Sequence, residues 1–221
     1  MNKFSMTNLG SASLVLGMEI EQGDGYIKVT QGNYVNSILR KFGFHESNPA
    51  PTPATGKPLS GNPDGAGYLD KSGTKKYQEI VGTLMYLVNT MRWDIGHAVL
   101  GLTRKMAAPT EEHLVAAKSV LRYLRGTPDL PAVYHKGPLK LVGYADSDFA
   151  GELESRHSCT GFLYMLGGGV ISSASVLQKA IYYIEHHGRR ARCPTRRIAG
   201  GRLSFQPTTG AWSGHRQVLP L

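Results

Sequence analysis

Two carboxylates, Asp146 and Asp148, stand at the end of an apolar run, Leu139-Lys140-Leu141-Val142-Gly143-Tyr144-Ala145. The run reads as a buried strand that delivers both acids at its terminus. An acid placed there is a natural magnesium ligand. Hard divalent cations take oxygen donors, and phosphoryl-transfer enzymes hold them through a few carboxylates together with the substrate's phosphates. The plainer alternative is a strand ending in a polar turn, where aspartate suits the backbone. Asp146 is thus the candidate metal ligand and catalytic residue, with Asp148 as a supporting acid.

A second chemistry is basic. Lys118, Arg122 and Arg125 recur at helical spacing, with Arg104 and Lys105 nearby in sequence. Such a stripe can track a phosphate backbone, because each neutralised phosphate releases counterions; the alternative is an ordinary solvated face. The net charge of +9 also points to an anionic partner such as nucleic acid. Most of that charge lies late in the chain, where residues 181–221 hold seven arginines and one acid, Glu185.

These residues need elements to position them. Ser13 to Ile20 and Tyr26 to Thr30 read as strands joined through Asp24-Gly25, a strong hairpin signal. Gln31 to Phe42 has helical spacing and is stopped by Gly43. Residues 45–76 hold five prolines up to Pro63 and read as a surface linker. Three helices follow at Tyr77 to Asn89, Asp94 to Met106 and Glu111 to Arg125, the last opening after Pro109-Thr110 and closing at Gly126-Thr127-Pro128. Leu114, Ala117, Leu121 and Leu124 form its buried stripe, opposite the basic one. His97 and His113 lie on these helices without partners at ligand spacing, which assigns them packing or capping roles. The strand bearing Asp146, the run Ser158 to Leu166 and the run Val170 to Ser175 make a three-strand antiparallel meander whose second turn is Gly167-Gly168-Gly169.

A chain of 221 residues, 41% hydrophobic, can bury a sizeable core. No apolar run reaches the length of a membrane span and the first residues lack an apolar signal core, so neither secretion nor a membrane partner is expected, and the protein reads as intracellular. Two cysteines without paired spacing, Cys159 and Cys193, argue against a disulfide framework and against cysteine-ligated zinc.

The ordered motifs of the meander, Gly143-Tyr144-x-Asp146-x-Asp148-Phe149-Ala150-Gly151, then Ser158-x-Thr160-Gly161, then Gly167-Gly168-Gly169-x-Ile171-Ser172, resemble the opening of the ribonuclease H domain in copia-type retrotransposon polyproteins. Earlier segments are similar to the same polyproteins. Leu16-Gly17-Met18-Glu19-Ile20 resembles the reverse transcriptase just after its palm. Tyr77-x-x-x-Val81-Gly82-Thr83-Leu84, Arg92-x-Asp94-Ile95 and Leu121-Arg122-Tyr123-Leu124-Arg125-Gly126-Thr127 look like the segment that ties polymerase to nuclease, with Met91 and Trp93 departing from its usual residues. The resemblance covers roughly residues 7–180. It implies an α+β fold: the end of a reverse transcriptase over 1–44, the linker over 45–76, a helical connection over 77–136 and a partial ribonuclease H-like domain over 137–180. It also implies Mg2+ as cofactor, an RNA–DNA hybrid as partner, and association with the polymerase region of a polyprotein.

The resemblance also names what is missing. No Tyr-x-Asp-Asp turn occurs, which predicts a chain unable to polymerise. Ribonuclease H chemistry needs several carboxylates around two magnesium ions about 4 Å apart. The family's next acids belong to a Ser-Ser-Thr-Glu helix, where this chain reads Ile184-Glu185-His186-His187-Gly188. Adjacent histidines point to different sides of a helix, so that cluster is not a metal site. Shifted by one nucleotide, the codons permitted for Ile184 to Pro194 allow a glutamate helix like the family's, which predicts that residues after about Ala180 are out-of-frame translation and that 181–221 is a disordered basic tail. The expected function is a fragment of a reverse transcriptase/ribonuclease H polyprotein that is inactive alone. The alternatives are a nonenzymatic nucleic-acid-binding protein acting through Lys118, Arg122 and Arg125, or a polypeptide with no role.

Overall fold

The computed structural model describes residues 10–54, 59, 67–147, 159–177 and 219–220. Among them the fold is α+β, with four α-helices and two antiparallel sheets. The first sheet has the order β1 (Leu14–Val15), β2 (Met18–Gly23), β3 (Tyr26–Thr30), β4 (Ala132–His135). The expected hairpin forms, with Gly23 opposite Tyr26 and Gly25 at φ +81°. The strand expected to run unbroken from Ser13 to Ile20 does not. It folds back at Leu16-Gly17, where φ is +50° and +71°, so Val15 pairs with Met18. A leucine at positive φ is unusual, which is why the sequence hides this turn.

Glu19 joins the hairpin to α1 (Gly32–Phe42): its carboxylate accepts the Asn33 N–H at 2.9 Å and the Thr30 hydroxyl at 3.2 Å. An acid there satisfies an orphan donor and suits the positive end of the helix dipole. Gly43, left-handed at φ +76°, ends α1 as expected. Helix α2 (Lys71–Thr90) begins well before the expected Tyr77, because Asp70 caps it by accepting the Gly73 N–H at 2.7 Å. The expected helix from Asp94 to Met106 is a 3-10 turn over Trp93–Ile95 followed by a shorter α3 (Gly96–Thr103). Helix α4 (Glu111–Gly126) matches its expected span.

The hydrophobic core lies among the helices. Val35, Ile38 and Leu39 of α1 meet Tyr77, Ile80, Leu84 and Leu87 of α2, Val99 and Leu102 of α3, and Leu114, Ala117, Leu121 and Leu124 of α4. The Tyr77 hydroxyl donates to the Leu102 carbonyl at 2.7 Å, and burial pushes its pKa up.

The second sheet has the order β7 (Gly169–Leu177), β6 (Cys159–Leu166), β5 (Leu141–Ser147), β8 (Leu219–Pro220). The three-strand meander is therefore present. Its glycine turn explains itself. Gly167 and Gly168 have φ of +60° and +89°, as a tight two-residue hairpin requires, and a Cβ on Gly169 would collide with the Tyr134 ring of β4. There the His135 N–H donates to the Gly167 carbonyl at 2.7 Å and the Tyr134 hydroxyl to the Val170 carbonyl at 2.7 Å. Apart from residues 219–220, the tail expected to be disordered or out of frame lies outside the described residues.

Candidate functional site

Asp146 sits near the end of β5, paired with Gly161 of β6, which pairs in turn with Ser175 of β7. Residues directly opposite share a face, so the acid projects from the same side as Ser175. That side is the one α3 approaches: the Ser175 hydroxyl lies 3.5 Å from His97 Nδ1 and 3.1 Å from the Cys159 thiol. Asp146 itself is exposed.

Asp148 lies outside the described residues. Among those described, no group of three or more histidine, cysteine, aspartate or glutamate side chains is placed to hold a metal ion. The donor set described at the strand tip is thus one carboxylate with serine, thiol and imidazole neighbours on its face. Two magnesium ions call for several oxygen donors, so these residues do not by themselves fit that pair.

The basic stripe is more fully built. Arg122 and Arg125 are exposed on α4, and each donates its Nε–H to a carbonyl of the segment that follows α1: Arg122 to Asn48 at 2.8 Å and Arg125 to His45 at 2.6 Å. The Ala50 N–H donates to the Arg122 carbonyl at 3.1 Å, and Pro49 lies over Gly126, where an added Cβ would come within 3.0 Å of its ring. Part of the stretch read as a linker is therefore a strap laid along α4. Lys118, one turn earlier, stands 3.8 Å from Glu111, a loose and screened pair.

Sequence reasoning missed a buried cation. Arg92 is 1% exposed and makes a bidentate pair with Asp94, Nε to Oδ1 at 3.0 Å and Nη2 to Oδ2 at 2.8 Å. Nη1 donates to the Thr127 carbonyl at 2.7 Å and Nη2 to its hydroxyl at 2.8 Å, while the guanidinium lies 5.9 Å from the centre of the Tyr123 ring. Burial first, and then the Asp94 charge, raises the Tyr123 pKa. The Arg-x-Asp spacing is visible in the sequence. Its burial depends on Thr127, remote in the chain, and was not. With four of its five N–H donors used, Arg92 ties the end of α4 to the turn before α3.

His113 takes the capping role expected of it. Its Nδ1 accepts the Thr110 N–H at 2.9 Å, which places the ring proton of the neutral imidazole on Nε2. No described helix is long and apolar enough to cross a membrane.

Residues 1–56 match the family described as reverse transcriptase (RNA-dependent DNA polymerase). The chain is 37% identical over 183 residues to the retrovirus-related Pol polyprotein from transposon TNT 1-94 of Nicotiana tabacum, covering 80% of this chain and 14% of the polyprotein. The polyprotein from transposon RE1 of Arabidopsis thaliana is 34% identical over 180 residues, covering 81% and 12%. An uncharacterized mitochondrial protein of Arabidopsis thaliana is 35% identical over 179 residues, 80% of this chain and 72% of that protein. The chain thus spans about a seventh or less of the two polyproteins. No solved structure matches it.

Proposed function

The chain belongs to the copia-type retrotransposon polyprotein family, and on that premise we propose that it is a nucleic-acid-binding piece of the reverse transcriptase/ribonuclease H region that does not cleave hybrids unaided. Its partner is an RNA–DNA hybrid, held by the phosphate backbone along α4 through Lys118, Arg122 and Arg125. Residues 137–180 derive from the start of a ribonuclease H-like domain, and Asp146 is what they retain of a magnesium site that Asp148 would support.

The observation that carries the reading is the exposure of Arg122 and Arg125 on one helix face, a guanidinium pair suited to phosphate. Electrostatic binding of this kind weakens steeply with salt. A fluorescently labelled hybrid duplex titrated at several salt concentrations tests it. Binding that falls linearly on a log–log salt plot, and is lost in the double variant Arg122→Glu/Arg125→Glu, supports the proposal. Binding unchanged in that variant refutes it.

A further inference from the structure

The strap over α4 suggests how the basic face works. From the proposed function it takes only that α4 meets nucleic acid, and it adds a positioning device outside the helix. Arg122 and Arg125 are three residues apart, so their side chains leave the helix as neighbours. Each spends one donor, Nε–H, on the strap, at Asn48 and His45. No other partner for either guanidinium appears among the described residues, so the outer Nη groups remain as donors. A free arginine side chain has many rotamers to lose on binding. Here the Nε bonds remove much of that freedom before a ligand arrives.

The strap is itself fixed at more than the two arginines. Gly43 turns the chain out of α1, the Phe44 N–H donates to the Leu39 carbonyl at 2.7 Å, and the Ala50 N–H reaches the Arg122 carbonyl. Pro49 closes on Gly126, where an added Cβ would stand 3.0 Å from the proline and push it outward by a few tenths of an ångström. Lys41, at the end of α1, pairs with Glu79 of α2 at 2.7 Å, an exposed contact beside the point where the strap departs.

We infer that residues His45 to Ala50 act as a positioning strap that presets the Arg122 and Arg125 guanidinium groups to grip successive phosphates of one nucleic-acid strand. The recognition is of the phosphodiester backbone, without reading bases. The His45 and Asn48 carbonyls are positioning groups and touch no ligand.

Lysine keeps the charge but has no Nε–H fork, which makes Arg122→Lys/Arg125→Lys the diagnostic variant; Arg122→Gln/Arg125→Gln removes the charge as well. With the full chain and a labelled 20-base-pair RNA–DNA hybrid, the lysine variant should bind about tenfold more weakly with an unchanged salt slope, from two side chains that must now be ordered on binding. The glutamine variant should lower the slope by about 1.8. Pro49→Gly, which loosens the strap while leaving every residue of α4 unchanged, should reproduce the lysine result if its thermal unfolding resembles the parent's. A DNA duplex of the same sequence should be affected alike. Parent-like affinity in both the lysine and Pro49 variants would overturn the strap while leaving α4 as the nucleic-acid face. Failure of the parent protein to bind any duplex would overturn that face and the strap with it.

Discussion

The helical layer and the second sheet are held in different ways. Among the described residues, every member of the main buried cluster comes from α1, α2, α3, α4 or the turn before α3, and none from β5, β6 or β7. The central strand of the meander, β6, is half-buried along its whole length. It keeps its place through backbone pairing, the glycine turn against Tyr134 and His135, and the contact of Ser175 with His97. The contrast teaches that a dense motif is not a packed domain. The segment that most resembles a catalytic domain is, among the described residues, the one with least core of its own, while the plainer helices supply the stability.

The sharpest way to break that comparison is Arg92→Ala. It leaves a cavity where the buried guanidinium sat and an unpaired Thr127 carbonyl, the second alone costing about 1–3 kcal/mol, while the exposed Asp94 carboxylate returns to water. The helical layer should lose its cooperative thermal transition or melt far lower; a variant melting with the parent would mean that Arg92 is not the clip between α4 and the turn before α3.

A smaller effect is expected from Gly169→Ala, whose Cβ meets the Tyr134 ring. Overpacking costs about 1–3 kcal/mol. Hydrogen exchange should accelerate in β6 and β7 while α4 stays protected, and equal acceleration in both would show one cooperative unit.

The smallest effect concerns Glu79, whose carboxyl is held below its ordinary pKa by the hydrogen bond from Lys41 and then by that residue's charge. A depressed folded pKa contributes stability above the unfolded carboxylate value, lost as pH falls through the folded one. Glu79→Gln should therefore melt slightly below the parent at neutral pH and together with it in acid. An equal gap at both would assign the effect to something other than this ion pair.

Local patterns told most of the fold. The 3.6-residue period of α4, the Asp24-Gly25 turn, the Gly43 stop and the Gly167-Gly168 hairpin all act within a few residues, and each appears where its chemistry calls for it. What stayed hidden was non-local. The Asn48 carbonyl meets Arg122 and Arg92 meets Thr127 only after the helices pack. Strand β4 is short and gains its identity by pairing with β3 across the intervening helices. Leu16 conceals its turn because leucine rarely accepts positive φ, and here the Tyr86 hydroxyl holds it by donating to the Leu16 carbonyl at 2.5 Å. Of the candidate site, the basic spacing on α4 was plain and its strap was not. The acid at the strand tip was plain, while any further ligands depend on residues outside those described.

The most direct test is one assay: the 221-residue chain incubated with a labelled RNA–DNA hybrid and magnesium, scored for bound complex and for cut RNA in the same reaction. The proposed function predicts a complex that dissociates as salt is raised and an RNA strand that stays intact. Magnesium-dependent cutting that disappears in Asp146→Asn would contradict this, since the one carboxylate described at the strand tip would then belong to a working site.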